Sequence, residues 1–178
     1  DSNFHYYYDS IMRPFKPYVL KVIEKIEELD VDIIATAHGP IIRENPRKYI
    51  ESYRRWSQIQ TDPTKNVLIL YVSIYGSTKK MAEAIAKGVS EEGANFKMLD
   101  VNDTDPQFIR DAIEKADGII VGSPTIVGDA PKPVWDALAL LSSVKLKIKL
   151  GSAFGSYGWR GEATKMAEDR LSGLHIKL

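Results

Sequence analysis

Residues 73–78, S-I-Y-G-S-T, place four hydroxyl side chains around one glycine, between an apolar run and a helical pattern. A loop that enters a helix offers free backbone N–H groups and the positive end of the helix dipole, which suit a phosphate. Gly76 allows the backbone to approach a ligand closely. The segment lacks the residue patterns of triphosphate and dinucleotide loops, so it predicts a monophosphate site. In the alternative interpretation, Ser77 or Thr78 only caps the helix.

Two further loops have unusual compositions, S-P-T-I-V-G-D-A-P-K-P at 123–133 and F-G-S-Y-G-W-R-G-E-A at 154–163. Prolines stiffen the first, and Ile126 gives it an apolar side chain that suits the edge of a flat ring. In the second, Tyr157 and Trp159 alternate with glycines, and exposed aromatic side chains are favoured where a flat ligand covers them. We therefore predict an aromatic ring between these loops. The alternatives are an ordinary strand-to-helix turn at 123–133 and Trp159 as a core residue.

The three loops follow predicted strands in a pattern that alternates strand and helix. Short apolar strands separated by helices predict a parallel sheet that is covered on both faces. Ligands bind outside the carboxyl ends of the strands in such sheets, which is where the three loops lie. The predicted strands are 66–72, 95–101, 117–122, 147–154 and the opening of a fifth at 174–178, and the predicted helices are 78–92, 106–115, 131–142 and 161–172.

The first part of the chain, 1–60, has a different pattern, rich in aromatic and charged residues. Apolar residues at helical spacing predict a helix over 18–29. An apolar run predicts a short buried strand over 30–37, ended by H-G-P. A proline precedes a second predicted helix at 47–56. The polar residues at 61–65 predict a linker.

The bulk composition excludes several classes of protein. The 178 residues include 24 Lys and Arg against 24 Asp and Glu, so no basic field indicates a nucleic-acid partner. The absence of cysteine excludes disulfides, thiolate metal sites and cysteine nucleophiles. No apolar run approaches the ~20 residues of a membrane span, and no signal-peptide pattern opens the chain. We expect a cytoplasmic protein that is truncated at both ends and lacks the helix that normally closes a doubly wound sheet.

Residues 66–178 resemble the flavodoxin fold and, more narrowly, the flavodoxin-like domain of the flavodiiron proteins (A-type flavoproteins). The motifs S-x-Y-G-S-T, S-P-T-I and F-G-S-Y-G-W carry this resemblance. In the first 60 residues, R-P-F and A-H-G-P resemble the end of that family's metallo-β-lactamase-like domain. The resemblance implies an α/β fold: a flavodoxin-like doubly wound parallel sheet, preceded by a partial metallo-β-lactamase-like segment.

The resemblance also implies FMN, bound by residues carried over by position. His38 matches the last histidine ligand of the family's di-iron centre, whose other ligands are absent from this chain. One histidine cannot hold two irons. The implied FMN residues are Ser73, Ile74, Tyr75, Gly76, Ser77 and Thr78 at the phosphate, Pro124, Thr125 and Ile126 beside the isoalloxazine, and Ser156, Tyr157, Gly158, Trp159 and Gly161 over its other side.

The sequence departs from the family pattern in two of these loops. Arg160 and Glu162 stand where the family often has glycines, so charge lies near the flavin. Val127 and Gly128 stand where the family often has an asparagine, which affects the contacts of the second loop.

The function implied by the resemblance is FMN-dependent electron transfer in an oxidoreductase that reduces dioxygen to water, nitric oxide to nitrous oxide, or both. The implied partners are a redox donor protein or a reduced deazaflavin, and a second copy in a head-to-tail homodimer or higher oligomer. The alternatives are a stand-alone flavodoxin-type electron carrier, a flavodoxin-fold NAD(P)H or quinone reductase, and a binding module that keeps the fold without the cofactor.

Overall fold

The computed structural model describes residues 2–58 and 64–178, and the chain divides into two compact units, Asp1–Thr61 and Asp62–Leu178. The predicted linker, 61–65, falls largely outside the described residues and stays a prediction. The assignment of the first unit to a metallo-β-lactamase-like domain and of the second to a flavodoxin-like domain is likewise a prediction.

The first unit is helical. Its elements are α1 (Ser2–Tyr7), a π-helical turn (Tyr8–Met12), a 3-10 turn (Arg13–Phe15), α2 (Lys16–Ile26) and α3 (Pro46–Ser57). The two helices predicted here are confirmed, with ends shifted by one to three residues. An aromatic cluster joins α1 to α3: the ring of Phe4 lies 5.0 Å from that of Tyr49 and 5.6 Å from that of Trp56. Beneath it, the buried hydroxyl groups of Tyr8 and Ser57 lie 2.7 Å apart.

The predicted buried strand over 30–37 is wrong. Within the described residues this segment forms one isolated antiparallel bridge, in which Ile34 and Ile42 exchange hydrogen bonds of 3.0 and 2.9 Å. A strand needs a neighbour along its whole length to satisfy its backbone groups. The side chain of Ile33 is 49% exposed, so the apolar run is not covered as a core strand would be.

The second unit is a parallel sheet of four strands in the order β2-β1-β3-β4. The strands are β1 (Asn66–Tyr71), β2 (Asn95–Asp100), β3 (Gly118–Pro124) and β4 (Leu150–Ser156). Beyond β4, the N–H of Gly151 donates to the carbonyl of Lys177 at 2.8 Å, in a parallel bridge that continues the sheet. This order confirms the predicted flavodoxin-like doubly wound class, and the predicted fifth strand is present as that single bridge.

Helices cover both faces of the sheet, because apolar residues alternate along its strands. On β1, Leu68 and Leu70 enter the larger cluster, while Ile69 and Tyr71 enter the smaller cluster on the opposite face. The helices α5 (Pro106–Lys115), α6 (Lys132–Leu140) and α7 (Glu162–Gly173) contribute to the larger cluster, and α4 (Ser77–Glu91) contributes to the smaller one. The four helices predicted for this unit are confirmed, with each end within two residues of its predicted position. Among the described residues, no helix combines the length and apolar character needed to span a bilayer.

Glycines allow β3 and β4 to pack closely just before their loops begin. A Cβ atom on Gly155 would lie 2.3 Å from the carbonyl oxygen of Ser123, and one on Gly122 would lie 2.3 Å from the ring of Phe154. No side chain fits at either position without separating the strands or displacing the ring.

At the opposite ends of these strands, Asp117 ties the start of β3 to β1. Burial tends to raise the pKa of Asp117, but the N–H of Asn66, which donates to it at 3.0 Å, and the ammonium of Lys147 lower the pKa more. This carboxylate lies far along the sheet from the three loops, so we assign it a structural role.

The close approach at Gly155 generates the first prediction. Gly155→Ala should lower the free energy of unfolding by about 1–3 kcal/mol, because the new methyl group meets backbone atoms that cannot rotate away. Urea unfolding of the purified chain measures this change. The matched control is Gly88→Ala in α4, where a Cβ atom meets nothing within 4 Å and stability should stay equal or rise. Equal stability of Gly155→Ala and the wild type would contradict the packing described here.

Candidate functional site

The three loops with unusual compositions meet at one edge of the sheet. They follow β1, β3 and β4, which are neighbours in the sheet, and parallel neighbours end on the same side. We call the segments 72–76, 125–131 and 157–161 the first, second and third loops.

The first loop enters α4 through Gly76, which has a left-handed backbone (φ 84°). The hydroxyl of Ser73 accepts a hydrogen bond of 3.2 Å from the N–H of Lys79. The N–H groups of Ser77 and Thr78 have no acceptor inside the helix because they belong to its first turn. Ser73, rather than either of these residues, supplies the side-chain cap, so the alternative of a capping role for Ser77 or Thr78 is wrong.

Ser156, at the end of β4, links all three loops. Its hydroxyl lies 2.9 Å from the hydroxyl of Thr78, which is 1% exposed. Its carbonyl oxygen accepts a hydrogen bond of 2.9 Å from the N–H of Thr125 in the second loop. The hydroxyl of Thr125 in turn accepts one of 3.3 Å from the N–H of Ala163, just after the third loop. The predicted phosphate and ring segments are therefore held to one another directly.

The second loop contains a tight turn in which Ile126 and Asp129 exchange backbone hydrogen bonds of 2.9 and 3.1 Å. Val127 (φ 52°) and Gly128 (φ 77°) occupy the two central positions, both with a left-handed backbone. The carboxylate of Asp129 fixes this turn by accepting from the indole N–H of Trp135 at 3.0 Å and from the next backbone N–H at 2.7 Å. Asp129 is not among the site residues predicted from the sequence, although an aspartate after a glycine is a turn signal.

The third loop presents its aromatic side chains to solvent. Trp159 is 99% exposed and Tyr157 is 60% exposed, so the alternative of Trp159 as a core residue is wrong. The backbone at Gly161 packs against the ring of Tyr157, since a Cβ atom there would lie 2.8 Å from the ring. A Cβ atom on Gly158 would have no neighbouring atom within 4 Å, so there is open space beside the loop.

The remaining predicted ring and phosphate residues also line this edge. Ile74 and Tyr75 in the first loop are 51% and 91% exposed, and Ile126 in the second is 41% exposed. Pro124 ends β3 and is buried. The structure thus brings together a phosphate-suited helix terminus and a group of exposed apolar side chains, with no charged group inside the first loop.

His38 belongs to the first unit, where it is exposed and lines a cavity of about 620 Å³ with Tyr7, Tyr49 and others. Within residues 2–58 and 64–178, no three His, Cys, Asp or Glu side chains are close enough to hold a metal ion. The described residues therefore do not fit a di-iron centre, and the role of His38 as an iron ligand stays a prediction for a longer protein.

The bond between Ser156 and Thr78 generates the second prediction. Ser156→Ala should lower stability by about 1 kcal/mol or more, because it removes the partner of a buried hydroxyl. Urea unfolding measures the loss. Ser152→Ala, an exposed serine on the same strand, is the matched control and should change stability by less than about 0.5 kcal/mol. If both variants were equally stable, Ser156 would not hold the loops as described.

The left-handed backbone at Val127 generates the third prediction. A β-branched residue is strained at positive φ, and Val127 is fully exposed (100%), so its side chain gains nothing from burial. Val127→Asn should raise stability by about 1 kcal/mol, since asparagine adopts this conformation readily. Val127→Thr keeps the branched Cβ and should give no gain. A gain of equal size in both variants would show that backbone strain is not its cause.

Comparisons with known proteins agree with this geometry. The flavodoxin family matches residues 69–178. The type A flavoprotein fprA of Rhodobacter capsulatus is 45% identical over 99% of the chain, which covers 42% of that relative. The flavo-diiron protein FprA2 of Clostridium acetobutylicum is 38% identical over 100% of the chain, which covers 46% of that relative. The chain therefore spans less than half the length of these relatives.

Solved structures of longer proteins are also similar to the chain. The rubredoxin oxygen:oxidoreductase of the anaerobe Desulfovibrio gigas superposes with a TM-score of 0.73 at 32% identity, covering 96% of the chain and 43% of its own. The flavodiiron protein of Giardia intestinalis gives 0.70 at 25% identity, covering 97% and 42%. These matches confirm FMN as the predicted cofactor, while the individual binding residues stay predictions. The chain belongs to the flavodoxin family, and it matches the type A flavoproteins, or flavodiiron proteins, over nearly its whole length.

Proposed function

We propose that the three loops bind FMN and that the chain is the electron-transfer part of a flavodiiron oxidoreductase. The observation that carries this proposal is the set of hydrogen bonds made by Ser156 and Thr125. Through them, the free N–H groups of a helix N-terminus and a group of exposed apolar side chains share one edge of the sheet.

In this proposal the first loop binds the phosphate. The free N–H groups of Ser77 and Thr78 point along the positive end of the α4 dipole, and the exposed hydroxyl of Ser77 adds a donor. Ser73 contributes less directly, because its oxygen already accepts from Lys79. The site therefore binds an anion mainly with neutral donors, which holds the phosphate without adding cationic charge near the ring.

The other two loops hold the isoalloxazine ring. Thr125 and Ile126 line one side, with the buried Pro124 directly behind them. Ser156, Tyr157, Gly158, Trp159 and Gly161 line the other side. Trp159, at 99% exposed, has a whole ring face available for stacking. FMN supplies the ability to accept and pass on electrons singly or in pairs, and the protein tunes its potential through stacking and nearby charge.

The proposal extends to the longer protein of which this chain matches a part. There, residues 1–60 would be the end of a metallo-β-lactamase-like domain, and His38 would be one ligand of a di-iron centre. The reaction would be reduction of dioxygen to water, nitric oxide to nitrous oxide, or both. The name of the Desulfovibrio gigas relative, an oxygen:oxidoreductase that uses rubredoxin, supports dioxygen as acceptor and a redox protein as donor.

We further propose a head-to-tail homodimer or higher oligomer in the cytoplasm, with a redox donor protein or a reduced deazaflavin as electron source. Two alternatives use the same cofactor. A stand-alone carrier would need no metal ligand such as His38, and a flavodoxin-fold NAD(P)H or quinone reductase would accept hydride without a partner protein.

FMN titration of the purified chain, with iron assayed on the same sample, tests the proposal. Visible flavin bands should shift on binding, and riboflavin, which lacks the phosphate, should bind at least about tenfold more weakly if charge-assisted phosphate contacts are made. NADH or NADPH alone should then leave the flavin bands of the loaded protein unchanged.

The contrary outcomes separate the alternatives. Bleaching of the flavin by NADH or NADPH alone would favour the reductase. Failure to take up FMN would leave only the binding module. Equal affinity for FMN and riboflavin would overturn the assignment of the first loop to the phosphate.

A further inference from the structure

The turn at the tip of the second loop is strained, so its conformation depends on contacts that hold it. Ile126 and Asp129 exchange backbone hydrogen bonds, and both residues between them, Val127 and Gly128, have a left-handed backbone (φ 52° and 77°). Glycine adopts this backbone freely, whereas a β-branched residue is strained in it. The side chain of Val127 is 100% exposed, so packing does not offset the strain. Strained residues of this kind persist where the surrounding structure fixes them.

One oxygen of Asp129 ties this turn to the core of the second unit. Oδ1 accepts a hydrogen bond of 3.0 Å from the indole N–H of Trp135 and one of 2.7 Å from the N–H of Ala130. Trp135 lies on α6 and packs against the larger cluster, of which Ala130 is a buried member. A carboxylate acceptor makes both bonds charge-assisted, which strengthens them. The turn is therefore anchored to α6 through a side chain as well as closed by its own backbone.

The other end of the second loop is fixed independently. The N–H of Thr125 donates to the carbonyl of Ser156 at 2.9 Å, and the hydroxyl of Thr125 accepts from the N–H of Ala163 at 3.3 Å. Ile126, the exposed apolar residue that we propose to line the ring, lies between this attachment and the anchored turn. The position of Ile126 therefore depends both on β4 and on α6.

We propose that Asp129 and Trp135 are positioning residues for the flavin ring, because their hydrogen bond holds the second loop in the conformation that receives it. This inference rests on the proposed function, since it requires the ring to lie against the second loop. Without the hydrogen bond, the strain at Val127 favours other conformations of the turn. The apparent affinity for the flavin then falls in proportion to the fraction of chains that keep the competent conformation.

A different role for Asp129 follows from its place in the sequence, and the test separates the two. Asp129 lies three residues before Lys132, the first residue of α6, where the positive end of the helix dipole stabilises a negative charge. That role requires the charge, whereas the anchor requires only an acceptor oxygen. Because both hydrogen bonds fall on Oδ1, the single side-chain oxygen of asparagine can accept them both. Asp129→Asn therefore keeps the anchor and removes the charge.

The experiment measures the affinity of the purified chain for FMN and for riboflavin by quenching of flavin fluorescence. Asp129→Ala removes the acceptor and Trp135→Phe removes the donor, and each should weaken the binding of both flavins about fivefold or more. The ratio of the two affinities should keep its wild-type value, because the first loop and its phosphate contacts are unchanged. Asp129→Asn should bind both flavins within about twofold of the wild type, since its amide oxygen accepts the same two bonds.

The matched control is Asp136→Ala. Asp136 is also an exposed aspartate, and its ion pair with Lys132 lies within α6 and does not involve the second loop. Its removal should leave the affinity for both flavins unchanged. The Asp129 variants keep the fold because that side chain is exposed, so the comparison does not depend on the stability of Trp135→Phe.

Val127→Asn supplies a second readout that is specific to the strain. Asparagine adopts the left-handed backbone readily, so the turn should keep its conformation without the anchor. Adding Val127→Asn to Trp135→Phe should therefore recover most of the lost affinity. Val127→Asn alone measures any direct effect of the new side chain on flavin binding, and the double-mutant cycle removes that effect from the comparison.

Three results would overturn the inference alone. The first is wild-type affinity in both Asp129→Ala and Trp135→Phe. The second is an equal loss in Asp129→Asn and Asp129→Ala, which would assign the carboxylate to the helix dipole. The third is an effect of Val127→Asn that is the same with and without Trp135→Phe, which would show that the anchor does not restrain the turn. Failure of the wild type to bind FMN would instead remove the proposed function together with this inference, so the two failures are distinguishable.

Discussion

The hydrogen bonds of Ser156 are the constraint on which the candidate site depends. One hydroxyl and one carbonyl oxygen, both at the end of β4, hold the helix that follows β1 and the loop that follows β3. Without them, three loops on three strands would be free to move apart at a solvent-exposed edge. With them, the phosphate-suited helix terminus and the exposed apolar side chains keep a fixed spacing, which pre-organises the site for a ligand that carries a phosphate and a flat ring.

The packing below the loops makes this arrangement possible. Because Gly122 and Gly155 carry no side chain, Phe154 covers one strand and the carbonyl of Ser123 approaches the next. β3 and β4 end level with one another, since Pro124 pairs with Ser156. Ser156 therefore reaches both the start of α4 and the second loop. The stability of the sheet and the geometry of the site thus depend on the same few positions. The strained turn at Val127 lies at the tip of the second loop, away from these positions.

Much of the fold could be predicted from the sequence, because hydrophobic periodicity and turn-forming residues are local signals. Alternating apolar strands and helices gave the sheet, and the loop compositions indicated the edge that binds a ligand. The prediction of a strand over 30–37 is wrong because an apolar run does not reveal whether a partner strand exists. The link between Thr78 and Ser156 spans 78 positions in sequence, and no local pattern encodes it.

In the proposed function, the first and third loops belong to one FMN site. The most direct measurement is an amide NMR titration of the chain with FMN, following the backbone N–H signals of Ser77 and Thr78 and the indole N–H signal of Trp159. If the loops form one site, all three signals should shift along the titration with one common dissociation constant. Shifts at Trp159 that leave Ser77 and Thr78 unmoved, or that follow a different constant, would contradict it.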